Sequence, residues 1–456
     1  MHVINKSKLP PGPKSKLPLG YLFSFRKDSI GFLKKIAWEF GDIVHFKIGP
    51  IRIVLLNHPD FIKEVLTIQH RNFVKGRPLE MAKELLGEGL LTSEGEFHKC
   101  QSRIIQPAFH RNMIDSYAPA ITKGVTRLMN GWEDGKKIEI KEEMTKLSIA
   151  VAGKTFFNLD IEKEAPEINQ ALEDVTSLFD RIVVPFSELL LKLPLPGTLR
   201  FKKAKARLDE TIYSMINDRR QCKIDNGDLL SLLLRQQGEN GDGPGMSDLQ
   251  VRDEALTLLL TAFDTTSTAL TWTWYLLSQN PKAEAELHEE LDRVLNGRLP
   301  TAEDISQLKY TRMVFGESIR IFPPTYLIPR QALEDFPIDK YIIPGGSIIL
   351  MSPYLIHHDP RFHPDPEKFD PHAWEKHAHG LNAKYEYFPF SRGPRSCIGE
   401  PFAWMHGILV LATMAQRWRL KLEPDHPVEL LQRINLRPKY ELEMTLQCRK
   451  QKELIS

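Results

Sequence analysis

Apolar residues along this chain recur mostly at intervals of three and four, and only locally at intervals of two. From residue 61 to 224 the three-to-four spacing dominates and predicts a run of helices. Prolines are expected to break it at Ala118-Pro119, Ala165-Pro166 and the segment Leu193-Pro194-Leu195-Pro196-Gly197. Two apolar runs, Ile43–Ile48 and Ile51–Leu56, flank Gly49-Pro50 and predict a β-hairpin. Ser247-Asp248-Leu249-Gln250 reads as a capping box, with Ser247 as the N-cap and Gln250 reaching back. The helix it opens can run to Gln279, just before Asn280-Pro281, and would be roughly 50 Å long at 1.5 Å per residue. Residues 255–269 of that helix are apolar on nearly every face, which predicts burial inside a large core. Polar side chains at its centre therefore need a reason. Further helices are expected over residues 311–321 and 400–418. Tyr440, Leu442, Met444, Leu446 and Cys448 then alternate with polar residues as a closing strand.

The Pro-rich segment from Leu9 to Gly20 cannot be helix and is expected to lie as an extended arm over the surface. Residues 238–245 form a polar, Gly-rich loop. No repeat and no linker separates independent domains, although 456 residues would by length alone suit about three. The expected fold class is mainly α with a small β lobe (α+β). The whole chain, 1–456, forms one unit with its arm at 1–20. The β-rich lobe comes from about 40–60 with part of 325–350, and the helical lobe from about 61–320 and 380–425. Lysine and arginine total 61 against 59 acidic residues, a balance that argues against a dedicated nucleic-acid binder. The four cysteines, Cys100, Cys222, Cys397 and Cys448, show neither CxxC nor CxxCH spacing, which disfavours zinc ribbons and covalently attached haem. Their scarcity suggests a reducing compartment. The first eight residues have no apolar core behind their charges, and no run of about 20 apolar residues follows. A cytoplasmic protein without a membrane anchor is expected.

Chemistry concentrates in Phe390-Ser391-Arg392-Gly393-Pro394-Arg395-Ser396-Cys397-Ile398-Gly399. A lone cysteine in a tight turn is ordinarily structural, but this one sits between glycines just ahead of a helix. The free N–H groups and partial positive charge of a helix N-terminus favour a thiolate. Gly393 and Gly399 would let the backbone approach a flat ligand, Arg395 would bind a carboxylate on it, and Phe390 would shield the sulfur. A second pattern, Glu317-Ser318-Ile319-Arg320, places two charges three residues apart on one helical face. A third, Thr261-Ala262-Phe263-Asp264-Thr265-Thr266, puts hydroxyls and a carboxylate in the middle of the buried helix.

Together these stretches resemble the cytochrome P-450 superfamily in its soluble bacterial form, and the likeness covers nearly the whole chain. FxxGxRxCxG is similar to its haem-binding loop, Glu317–Arg320 followed by Ile321-Phe322-Pro323-Pro324 to its ExxR helix, and Asp264-Thr265 to its oxygen-activating acid–alcohol pair. The resemblance implies haem b (iron protoporphyrin IX) held by the Cys397 thiolate, with the iron as the metal. It implies Asp264 and Thr265 as catalytic proton donors and Glu317–Arg320 as a buried brace. By the same likeness His98, Arg330 and Arg395 are candidates for the haem carboxylates. Arginine is frequent in the family at Ser102, and here only the neighbouring Arg103 carries charge. Other departures are Ala262, where glycine is usual, Thr261, where alanine or glycine is usual, and His406, where glutamate is frequent. Pro371-His372-Ala373-Trp374 stands where the family has Pro-Glu-Arg-Phe. The arginine that joins the brace is thus missing at Ala373, leaving His372, a water or a simpler brace.

The implied activity is insertion of one oxygen atom of O2 into an apolar small molecule, a monooxygenase reaction. Electrons would come from a ferredoxin or flavodoxin with its reductase, docking near Lys99, Arg103, Lys384 and Arg392, and the enzyme is expected to be a monomer. The substrate pocket is expected to draw on Phe263, Tyr326, Leu327 and Ile328, with residues 81–91 and 179–186. Two other readings share the loop: a peroxygenase or isomerase on the same fold, and a haem-binding sensor without turnover. The histidines His357, His358, His363, His372, His377 and His379 do not have the spacing of a metal site and are expected to be structural or on the surface.

Overall fold

A computed structural model describes residues 9–160, 195–222, 225–235, 246–377 and 385–449. The expected break at Ala165-Pro166 and the expected pocket residues 179–186 lie outside these residues, as do Lys384 and His379.

The helix Asp248–Gln279 runs through the middle of the molecule. The Ser247 hydroxyl accepts from the Gln250 amide, and the Gln250 side chain accepts from the Ser247 amide, so the capping box is complete. Around this helix pack Ile140–Phe157, Pro196–Cys222, Lys309–Ile321 and Glu400–Ala415. Their apolar stripes meet in one large core containing Leu256, Phe263, Trp274, Phe315 and Leu409.

Against one end of this core lies a five-stranded sheet. Its order is Ile43–Ile48, Ile51–Leu56, Ile348–Met351, Ile328–Ala332 and Phe73–Val74. All neighbours are antiparallel except Ile51–Leu56 beside Ile348–Met351. The hairpin is in the expected place. The N-terminal arm is joined to it: His45 donates its amide to the Pro11 carbonyl at 2.9 Å, and Gly20 bridges to Ile48. The closing strand Glu443–Cys448 pairs with Lys137–Glu139 and with Trp418–Leu422. No described helix is long and apolar enough to cross a membrane.

The break expected at Ala118-Pro119 does not exist. Helix Arg111–Met129 continues through Pro119, because Ile114, Tyr117, Ala118, Ile121 and Val125 form one buried stripe across it. Burial of that stripe outweighs the lost backbone bond. Near Leu193–Gly197 a helix begins at Pro196, where a proline in the first turn costs little. Helices Leu22–Lys27 and Ser29–Phe40 were not expected from the periodicity.

The Glu317–Arg320 pair is almost wholly buried and bidentate, with both N–O distances 2.8 Å. Arg320 Nη1 also donates to the carbonyls of His357 and Pro366, each at 2.8 Å. His357 donates from Nδ1 to the Arg320 carbonyl at 3.1 Å and accepts the Phe388 amide at Nε2 at 3.2 Å. That division of roles requires a neutral ring, and burial holds its pKa well below the usual histidine range. The brace thus reaches Phe388, two residues before the Cys397 loop. His357, His358 and His363 are buried structural groups, and no metal-binding cluster occurs among the described residues.

The missing arginine is replaced by an indole. Trp374 Nε1 donates to Glu317 Oε2 at 3.0 Å, and the Asp370 amide donates to Oε1 at 3.1 Å. His372 instead turns outward to Glu286 and Glu375. Trp374→Phe, which keeps an aromatic ring but loses the donor and part of the indole's volume, is expected to destabilise the protein by about 1–3 kcal/mol in urea unfolding. An unchanged midpoint would mean that the indole bond contributes nothing.

Candidate functional site

A cavity of about 1010 Å³ separates the middle of the central helix from the Cys397 loop, at the upper end of ordinary small-molecule sites (roughly 300–1,000 Å³). Its floor is the segment 390–399. A short turn over Gly393–Arg395 and a bond from the Cys397 amide to the Phe390 carbonyl, 2.9 Å, bend the chain so that Cys397 faces the cavity. Helix Glu400–Ala415 then starts directly beneath it. Phe390 and Gly399 also line the cavity, and a Cβ on Gly399 would stand 3.8 Å from the Cys397 sulfur. Gly393 serves a different purpose from the one expected. Its φ is +77°, and a Cβ there would meet the Leu66 carbonyl oxygen at 2.1 Å, so it lets two backbones pass rather than admitting a ligand.

The expected N–H donors at the sulfur are present, from Gly399 and Glu400, but burial outweighs them and pushes the Cys397 thiol up to about 11. Cys397 keeps exposed surface, and it lines the cavity. The protein surroundings on their own thus disfavour the thiolate. A coordinated metal cation reverses that balance, since a ligating thiol is deprotonated outright.

Above the floor, Thr265 donates its hydroxyl to the Thr261 carbonyl at 2.8 Å, and Thr261 to the Thr257 carbonyl at 2.8 Å. The helix stays continuous through this stretch. Asp264 is held from the C-terminal hairpin, where Asn435 Nδ2 donates to one carboxylate oxygen and Arg437 Nη2 to the other.

One wall of the cavity carries basic side chains. Lys75, His98, Arg330 and Arg395 all line it. Arg395 pairs with Glu94 and donates to the Ser93 carbonyl at 3.0 Å. Arg330 donates to the neighbouring Pro329 carbonyl at 2.8 Å, and burial lowers its pKa to about 10. Burial, followed by Lys75 and Arg395, brings His98 down to about 3. Burial also brings Lys75 down to about 7. Arg103 is exposed and away from the cavity, whereas His98 faces it. Cations brought together with too few acids raise each other's cost of charging, and a bound dianion relieves that cost. A flat macrocycle carrying two carboxylates, with an iron above a thiol, fits this donor set.

The remaining lining is largely apolar and includes Phe263, Leu327, Ile328, Leu86, Leu90 and Leu91. Tyr326 also lines the cavity, though its hydroxyl lies 3.3 Å from Ser29 Oγ. Lys99 and Arg103 are exposed on helix Gly95–Ile105, where Lys99 pairs with Glu96, while Arg392 is half-buried and donates to the Tyr387 carbonyl. Lys75, Glu94, Asn435 and Arg437 were not singled out in the sequence. The one available hint was that Asp264, on a buried helix, needs a partner.

The family model described as "Cytochrome P450" matches residues 10–444. The chain is 37% identical to cyclooctatin synthase of Streptomyces melanosporofaciens, over 90% of this chain and 89% of that protein. It is 35% identical to cyclooctat-9-en-7-ol 5-monooxygenase of the same organism, over 92% of this chain and 93% of that protein. Pentalenene oxygenase of Streptomyces avermitilis is 30% identical, over 90% and 91% respectively.

Arg330→Leu is expected to weaken binding of iron protoporphyrin by about 10- to 100-fold, read by competition for the bound haem, through loss of one charged hydrogen bond. Unaltered haem retention would remove Arg330 from the carboxylate site.

Proposed function

This chain belongs to the cytochrome P450 family, and from that premise we propose that Cys397 supplies the axial thiolate to haem b in the cavity under the central helix. It is a haem-thiolate monooxygenase, an oxidoreductase that takes O2, a small apolar molecule and electrons from a redox partner. The observation that carries the residue assignment is the cavity itself, with Cys397 on its floor, Asp264 and Thr265 on its roof and Arg330, Arg395 and His98 on one wall.

Haem bound through a thiolate supplies the O–O cleavage chemistry. The protein's own groups do the rest. His98 and the two arginines orient the macrocycle by its carboxylates. Phe390 and Ile398 keep water from the sulfur. Thr265 holds its hydroxyl proton toward the Thr261 carbonyl until a stronger acceptor enters the cavity. Asp264, gripped by Asn435 and Arg437, stands beside it as a carboxylate that relays to it a proton taken up from water. Apolar side chains around Phe263, Leu327 and Ile328 select an apolar substrate.

Among fatty acids, terpenes, steroids and polyketides, we favour a terpene-like, unsaturated cyclic hydrocarbon or its mono-alcohol. Support comes from the names of the relatives, which act on cyclooctat-9-en-7-ol and pentalenene, and from the apolar lining. We read the electron donor as a ferredoxin or flavodoxin with its reductase, drawn to exposed Lys99 and Arg103 on helix Gly95–Ile105.

The test supplies pentalenene, isotopically heavy O2 and a reconstituted ferredoxin system. One heavy oxygen atom per product molecule is expected. Thr265→Ala should lower product formed per reductant consumed by at least about 10-fold, with the difference appearing as hydrogen peroxide. Turnover with added peroxide and none with reductant would favour a peroxygenase. Haem binding without any turnover, across a panel of such hydrocarbons, would favour a sensor.

A further inference from the structure

The loop 87–93 joins helix Arg77–Leu86 to helix Gly95–Ile105. Leu90 and Leu91 on it, with Leu86 just before, form part of the cavity wall. Some of its bonds are internal turns, such as the Thr92 and Ser93 amides on the Gly89 carbonyl, each at 2.9 Å. What ties it to the body of the protein is largely a set of buried ionisable side chains.

From the central helix, Asp253 Oδ2 accepts the Glu88 amide and Glu254 Oε2 accepts the Leu90 amide, both at 2.9 Å. From the opposite side, Lys75 Nζ donates to the carbonyls of Leu90 at 2.8 Å, Leu91 at 2.5 Å and Ser93 at 3.2 Å. The loop backbone is pressed onto the helix so closely that a Cβ on Gly87 would meet Asp253 Oδ2 at 2.0 Å, and one on Gly89 would meet Thr257 Oγ1 at 2.2 Å. Lys75, Asp253 and Glu254 are 7%, 4% and 0% exposed.

Burying three ionisable groups is costly unless each is hydrogen-bonded, and at a surface, water would satisfy these loop amides and carbonyls without that cost. The arrangement therefore makes sense where the loop must not move. Most of its bonds survive a change of charge. Burial pushes the Glu254 carboxyl up to about 8 and the Lys75 ammonium down to about 7, yet a neutral acid still accepts through its carbonyl and a neutral amine still donates two of the three Lys75 bonds.

We propose that Lys75, Asp253 and Glu254 are positioning residues that clamp loop 87–93 as a fixed cavity wall and thereby govern which apolar molecules enter and how long they stay. The consequence for ligands rests on reading the cavity as the substrate site. The clamp itself does not.

Hydrogen exchange on the purified holoprotein, followed by mass spectrometry, tests the clamp without reference to turnover. In the unaltered protein the Glu88 and Leu90 amides should exchange as slowly as those of the central helix. Glu254→Ala and Lys75→Met should speed exchange across 87–93 by about 10-fold or more. Glu254→Gln, which retains a carbonyl acceptor, should stay close to the unaltered protein. The haem spectrum then reports release of phenylimidazole, an apolar iron ligand, which should be faster in the Ala and Met variants and unchanged in the Gln variant. Free exchange at Glu88 and Leu90 in the unaltered protein would overturn the proposal even if no variant folds, and so would equal loosening by Gln and Ala. Protected amides in a protein that binds no haem would leave the clamp standing and remove the functional reading.

Discussion

An anion facing a confined, largely apolar cavity is poorly hydrated, and desolvation there raises the thiol of Cys397, whose exposed surface lines that cavity. Two backbone N–H groups at the head of helix Glu400–Ala415 offset part of the penalty and no more. The balance is left to a metal cation, so the loop is built to be finished by its ligand. Much of the fold serves to hold that one atom still. The buried Glu317–Arg320 pair reaches His357, His357 holds the Phe388 amide, and two residues later the Cys397 loop begins. The ion pair is distant from the chemistry and stabilises it through a chain of hydrogen bonds.

The same economy appears on the cavity wall. Arg330, Arg395, Lys75 and His98 are grouped there, with Glu94 paired to Arg395 and Glu254 close to Lys75. Such grouping is unfavourable in the bare polypeptide and favourable around a dicarboxylate. Across the cavity, Asp264 has the opposite character, with both carboxylate oxygens already engaged by Asn435 and Arg437. Ala262 stands where the family usually has glycine, and Thr261 where it usually has alanine or glycine. The Thr261 hydroxyl turns back onto the Thr257 carbonyl, so it adds no free polar group to the roof.

What could be read from the sequence was what is decided locally. The capping box at Ser247, the hairpin around Gly49-Pro50 and the period-two strand ending at Cys448 each depend on residues a few positions apart. The loop at Cys397 was legible because its spacing is tight. Where distant parts of the chain meet, sequence reasoning stopped. Asn435 and Arg437 reach Asp264 from about 170 residues away, and the indole of Trp374 takes the place that the missing arginine was expected to leave to His372 or water. Pro119 was misjudged because a local rule about proline met a long buried stripe that overrides it. Gly393 is expected from the sequence to admit a flat ligand, and what a Cβ there would meet in the structure is the backbone at Leu66, a contact made by a distant segment.

The account depends most on the bond between the Cys397 sulfur and iron. The most direct measurement is the absorption spectrum of the reduced protein under carbon monoxide, for the unaltered chain and for Cys397→Ser. The account predicts the strongly red-shifted Soret band of a thiolate-ligated haem in the first, and its loss in the second. A band at the position of a histidine-ligated globin in the unaltered protein, or a red-shifted band that survives the serine substitution, would contradict it.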